Sequence, residues 1–327
     1  MNPTTRVPAF PDRRTFLQAA AGTVLAVGWS RSLAAAEPNM LELVDTHQHL
    51  WDLEKLRLPW LGEAKELNRS YVMSDYLAAA QGQNVVQTVY MEVDVAPEQL
   101  LDEARYVLAL CERPDNPMVA AVLGGRPADP KFGDYLANFA QAPRVKGIRQ
   151  VLHSGQTPPS YFLADEFVGG LHTLGERGLS FDLCVKAADL PETAMLIARC
   201  PDTAFILDHC GNPEVQAADL DAWRRGIDAV AQRPNVVCKV SGFVGGFAGR
   251  RWQPEDLRPV VDHVSTAFGP DRLVFGGDWP VCTLAASLGE WCAALRQVVA
   301  DRPAADQRKL FSENARRVYR LTEKNRG

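Results

Sequence analysis

VDTHQHLWD, residues 44–52, follows a short β-rich run that begins at Leu41, and it sets two histidines two positions apart. On a strand, side chains two apart point the same way, so His47 and His49 face together. Three other stretches repeat the form of an apolar run with polar residues at its end: KGIRQ (146–150), FILDHCGNP (205–213) and LVFGGDWPV (273–281). If all four are strands of one closed sheet, His47, His49, His209 and Asp278 meet at its rim. Three imidazoles and a carboxylate at one mouth form a group suited to activating water.

Working outward, the chain alternates β-rich runs with amphipathic stretches. Eight strands are expected, at 41–46, 85–91, 118–123, 145–149, 180–185, 203–208, 235–241 and 272–277, with helices at 97–112, 165–177, 190–199, 219–232 and 254–268. Such alternation implies a parallel sheet, and eight units fit a distorted (β/α)8 TIM barrel. No glycine-rich fingerprint follows the first strand, which disfavours a doubly wound nucleotide-binding sheet. The segment from Pro303 to Leu321 carries Leu310, Phe311, Ala315, Val318 and Leu321 at helical spacing. It is expected to be a C-terminal helix packed on the barrel exterior or across its base.

The 327 residues carry a net charge of −5. Without the first 36, which hold four arginines and one aspartate, that becomes −8. With no Lys/Arg cluster, this balance argues against nucleic acid and anionic membrane surfaces as partners. No run of apolar residues is long enough for stable membrane insertion. DRRTFL (12–17), a mildly apolar run from Ala19 to Trp29 and Ala34-Ala35-Ala36 follow the order of a twin-arginine export signal with its cleavage site. The expectation is a leader over 1–36, handled by the Tat export machinery, and a periplasmic barrel over 37–327. The seven cysteines show no C-x-x-C pair, and few or no disulfides are expected.

Each candidate has a chemical reason. His47, His49 and His209 offer imidazole nitrogens to one metal or, without metal, polarise a carbonyl. Asp278 shares a face with Val274 and Gly276, and its carboxylate can take a proton from water and return it to a leaving oxygen. Arg149 closes the fourth strand, where a guanidinium would grip a carboxylate or hydroxyls of a small-molecule substrate. Lys186 and Lys239 end the fifth and seventh strands and, with His153, complete the set of expected substrate-binding residues. His172 is ambiguous between site and scaffold, and His263, mid-helix, reads as a surface residue.

DTHQHLWD, KGIRQ, LDHCGNP, CKVSGF and VFGGDWPV, in this order, resemble the amidohydrolase superfamily, and within it the fuconolactonase-like and related lactone hydrolases. The likeness runs from about Leu43 to Leu321, where SENARRVYRL resembles the closing helix. It implies a hydrolase that opens a cyclic ester, with His47, His49, His209 and Asp278 at matching positions. Two departures from the wider superfamily bear on cofactors. Arg149 stands where a bridging lysine is usual, and Lys186 where many relatives place a histidine. One divalent ion (Zn2+ or Mn2+) or none is therefore expected, rather than a two-metal centre. Two alternatives stay open at this point: a metal-dependent decarboxylase of an aromatic acid on the same barrel, and a non-catalytic binding protein.

Overall fold

The computed structural model describes residues 40–153, 157, 158 and 160–322; the expected leader lies outside the described residues. Eight strands occur in sequence order: β1 (Leu43–Gln48), β2 (Val85–Met91), β3 (Met118–Gly124), β4 (Val145–Val151), β5 (Ser180–Cys184), β6 (Ala204–Leu207), β7 (Val236–Val240) and β8 (Leu273–Phe275). Each is followed by a helix: α1 (Met73–Ala79), α2 (Leu100–Glu112), α3 (Phe132–Ala137), α4 (Asp165–Glu176), α5 (Leu190–Arg199), α6 (Asp221–Ala231), α7 (Pro254–Phe268) and α8 (Leu288–Val298). Neighbouring strands pair parallel in the order β1 to β8. This is the expected (β/α)8 barrel.

A few backbone bonds and side chains, rather than a full ladder, close the seam between β8 and β1. Thr46 Oγ1 donates to the Phe275 carbonyl (2.6 Å), and the amides of Asp278 and His49 donate to His47 and Trp279 carbonyls. The Asp45 carboxylate accepts from the Gly277 amide (2.7 Å), its own neighbour His47 N (3.0 Å) and Tyr76 Oη of α1 (2.8 Å). A Cβ at Gly277 would lie 2.5 Å from that carboxylate, so the glycine admits Asp45.

Simple alternation fails on β1, for a local reason. Asp45 pairs with Thr88 and Gln48 with Tyr90, so three steps on β1 match two on β2. The extra residue is a β-bulge, which re-aims the side chains beyond it. It lets Val44 and His47, three apart, both point into the lumen, where Val44 packs with Val274 and Ala315 and His47 meets Lys239.

The closing segment lies across the base. It comprises α9 (Ala304–Arg308), a π-helical turn (Lys309–Glu313) and α10 (Asn314–Val318). Ala315, Val318, Tyr319 and Leu321 pack on the inward residues Val44, Val89, Met91, Ala120, Ile206 and Val274. The larger apolar core lies between the strands and the surrounding helices, where α6, for example, buries Trp223, Ile227 and Val230 at helical spacing. Among the described residues no helix is long and apolar enough to cross a membrane.

Candidate active site

The C-terminal ends of the strands bring His47, His49, His209 and Asp278 together. Asp278 Oδ1 is 3.4 Å from His49 Nε2 and 3.7 Å from His47 Nε2. The ring of His47 lies 4.8 Å from that of His49 and 4.4 Å from that of His209, centre to centre. Backbone geometry serves this convergence. Asp278 has φ 53°, and His209, Cys210, Gly211 and Asn212 form a left-handed run that turns the chain sharply after β6. Opposite that turn, Gly242 (φ 70°) gives the His209 ring its room, because a Cβ there would sit 2.0 Å from Nδ1.

Hydrogen bonds to the rings limit what each can do. His49 Nδ1 is 3.0 Å from the Met91 carbonyl, which can only accept. Nδ1 therefore carries the proton, and in the neutral ring Nε2 presents a lone pair beside Asp278. His209 Nδ1 lies 2.9 Å from Ser241 Oγ. With the hydroxyl donating, Nε2 of His209 carries a proton. Burial lowers the pKa of His209 to about 4. Burial, then the charge of Lys239, holds His47 well below the usual histidine range. Both rings are neutral near pH 7.

Beneath them lies a buried layer of charge. Lys239, fully buried, donates from Nζ to Asp182 Oδ2 (2.8 Å), lies 3.1 Å from His47 Nδ1 and pairs with Asp208 Oδ1 at 2.8 Å. Arg149 donates Nε to Glu92 Oε1 (2.7 Å) and Nη2 to the Glu92 carbonyl (2.8 Å), while Nη1 faces Asp208 Oδ2 (3.3 Å). Burial pushes the Asp208 carboxyl up, but Lys239 and His47 outweigh it and hold it well below the carboxylate range. Asp182 is raised to about 6 by burial, although Lys239 opposes this, and it also accepts from Tyr319 Oη (3.0 Å). Farther out, Glu103 accepts from Tyr90 Oη (2.9 Å) and the Val93 amide (2.8 Å). Burial and the nearby Glu92 raise its pKa to about 8.

A cavity of about 400 Å³ opens above this layer. Its wall includes His49, His209, Asp278, Arg149, His153 and Asp94 among the polar groups, and Trp51, Trp60, Val93, Val151, Val281 and Leu284 among the apolar ones. The indole N–H groups of Trp51 and Trp60 already bond the Arg69 and Val93 carbonyls, so toward the cavity these residues offer no free N–H.

Three expectations change in place. Lys239 does not reach the cavity, because it is sealed beneath His47. Arg149 touches the cavity, but its charge is answered by Glu92 and Asp208, so its main contacts are internal. Lys186 is exposed and lies off the cavity wall. His153 lies on that wall, whereas His47 is wholly buried just behind it. Sequence reading passed over Glu92, Asp208 and Asp94. The strand pattern could have flagged Asp208, which is two from the inward Ile206. Glu92 directly follows β2 with no motif around it. All seven cysteines are buried, and no disulfide forms among the described residues.

The residues fit one divalent ion. Nitrogen and oxygen ligand atoms of His47, His49 and Asp278 lie within 4.8 Å of one another, as do those of His47, Asp208 and His209. Such a donor set without thiolate suits Zn2+ or Mn2+. His49 already has its second nitrogen bonded to a backbone carbonyl, the usual support for a ligating imidazole.

The sequence profile of the amidohydrolase family matches residues 44–321. L-fucono-1,5-lactonase of Burkholderia multivorans is 30% identical over 292 residues, covering 86% of this chain and 96% of the relative. L-rhamnono-gamma-lactonase of Scheffersomyces stipitis is 22% identical over 340 residues, covering 86% and 99%. A crystal structure of an amidohydrolase from Burkholderia multivorans with bound Zn superposes with a TM-score of 0.77 at 27% identity, covering 86% of this chain and all of that one. With barrel, rim residues and profile in agreement over most of its length, the chain belongs to the amidohydrolase family.

Proposed function

We propose that this hydrolase opens a lactone by attack of water on the ring carbonyl. The observation that carries the reading is the Asp278 carboxylate on the cavity wall, 3.4 Å from a His49 nitrogen that presents a lone pair. Two such acceptors side by side can hold both hydrogens of one water and aim its oxygen into the cavity. Asp278 takes the proton as the water attacks. The Nε2 proton of His209 faces the charge that builds on the carbonyl oxygen, and a donor in that role contributes roughly 10²–10³-fold. As the tetrahedral carbon collapses, the C–O bond of the ring breaks and protonated Asp278 returns its proton to the departing oxygen. His47, locked from below by Lys239, fixes the floor. A divalent ion held by His47, His49 and Asp278 would, when bound, polarise the carbonyl and acidify water. The lactonase names of the relatives support this substrate class.

The test is a panel of lactones (sugar-acid lactones, pyrones and muconolactones) followed by proton release, with and without a chelator. Opening of at least one lactone, lost in Asp278→Asn, is the expected result. No lactone turnover, with carbon dioxide released from a hydroxylated aromatic acid, would overturn the reading. For the leader over 1–36 we further propose twin-arginine export to the periplasm. The N-terminal mass of periplasmic protein should place cleavage near Ala36, and an intact N-terminus there would refute it.

A further inference from the structure

We infer that Asp94 decides which lactones this enzyme accepts: its carboxylate takes hydrogen bonds from substrate hydroxyls and repels substrate carboxylates, so that the substrate is an uncharged, hydroxyl-bearing lactone. This rests on the lactonase reading above and narrows it.

Asp94 stands on the cavity wall just past β2, and no step of the reaction uses it. Its placement is built rather than incidental. The backbone is left-handed there (φ 48°), and the amide donates to Glu92 Oε2 (2.7 Å), the same side chain that clamps Arg149. One carboxylate oxygen, Oδ1, faces Arg126 Nη2 at 3.1 Å. The side chain remains 36% exposed, so it is available to a ligand.

The charge around it points one way. Among the described residues on the wall, the only guanidinium is Arg149, which is 4% exposed and bound to Glu92 and Asp208. Lys239 is fully buried beneath the wall and Lys186 lies off it. Two carboxylates, Asp94 and Asp278, line the same space. A substrate carboxylate placed beside Asp94 would meet a like charge that Arg126 answers on one oxygen only, an arrangement that disfavours binding. A ring bearing hydroxyls meets the reverse. Asp94 accepts from them, and the apolar wall with Trp60, Val93 and Leu284 covers the C–H surface.

The experiment compares kcat/KM for matched lactones, uncharged and polyhydroxylated against carboxylated (2-pyrone-4,6-dicarboxylate and muconolactone as probes), in wild type, Asp94→Asn and Arg126→Met. Asn keeps the amide and tolerates a left-handed backbone, so Asp94→Asn retains the fold. Wild type should favour the uncharged class by about 100-fold or more. Asp94→Asn should lose roughly 10–100-fold on hydroxylated lactones, mainly in KM, as expected for a lost hydrogen bond to a charged group, and should gain on carboxylated ones. Arg126→Met, which unmasks Asp94, should sharpen the preference. If wild type opens both classes equally or prefers the carboxylated one, or if Asp94→Asn leaves the ratio unchanged, the inference is overturned while lactone hydrolysis stands. If no variant, wild type included, opens any lactone, the underlying functional reading fails with it.

Discussion

The lumen of the barrel has a base and a mouth built on opposite principles. At the base, Val44, Val89, Ala120, Ile206 and Val274 meet Ala315 and Tyr319 of the closing segment in an apolar plug. Toward the mouth, the inward positions are Asp182, Asp208, Lys239, Arg149 and His47, buried and ionic or polar. The base gains stability from area removed from water. The mouth gains little net stability from its pairs, because desolvation offsets the attraction, yet removing one member leaves an unanswered charge. Stability therefore resides at one end and chemistry at the other.

The sharpest way to break this contrast is at Asp278, which touches the cavity and no buried cation. Asp278→Asn should lower kcat by about 10²–10⁴-fold, since the amide cannot accept the proton of water. Its melting temperature should stay within a few degrees of wild type. A variant that melts much lower would show the rim to be structural too. Next comes Lys239→Met, which leaves Asp182 without a cation and Asp208 with Arg149 alone. Denaturant unfolding should show a loss of about 3–5 kcal/mol. A neutral result would mean that the charged layer tolerates an uncompensated carboxylate.

Tyr319→Phe tests the join between the two regions, because this ring belongs to the base and its hydroxyl to the mouth. Losing the bond to Asp182 should cost about 1.5–3 kcal/mol and leave kcat within roughly twofold. A large fall in kcat would show that base and mouth are coupled. The smallest effect is expected at Glu103, beside the charged layer. Its folded-state pKa of about 8 lies above the unfolded value, so the folded chain holds a proton that the unfolded chain has released. That term weakens stability as pH rises from about 5 to 8. Glu103→Gln should flatten this part of the stability-against-pH curve and be the more stable form above about pH 8. A curve parallel to wild type would contradict the assignment.

Period-two apolar runs with polar ends made the eight strands legible, and the same runs located His47, His49, His209 and Asp278. The roles of the cations could not be read that way. Alternation correctly turns Arg149 and Lys239 inward, but depth along the lumen decides whether an inward cation meets substrate or a buried carboxylate. Depth depends on the stagger of neighbouring strands. Sequence alone places Lys239 among the substrate ligands because its partners, Asp182 and Asp208, lie on β5 and at the end of β6, 57 and 31 residues away, and nothing local links them. The bulge in β1 is equally silent in one dimension, since it exists only as a mismatch with β2. The closing segment showed its helical spacing plainly, but whether it lay outside or across the base required the apolar inner face of the strands it covers.

The contact between Gly242 and the His209 ring has a consequence for anyone wishing to recode this enzyme. A library that randomises position 242 should return active clones with glycine alone, because even alanine would put its methyl into the imidazole. Diversity is better directed to the apolar panel formed by Val93, Val281 and Leu284, where new shapes can be tried without disturbing the turn that carries the reacting groups.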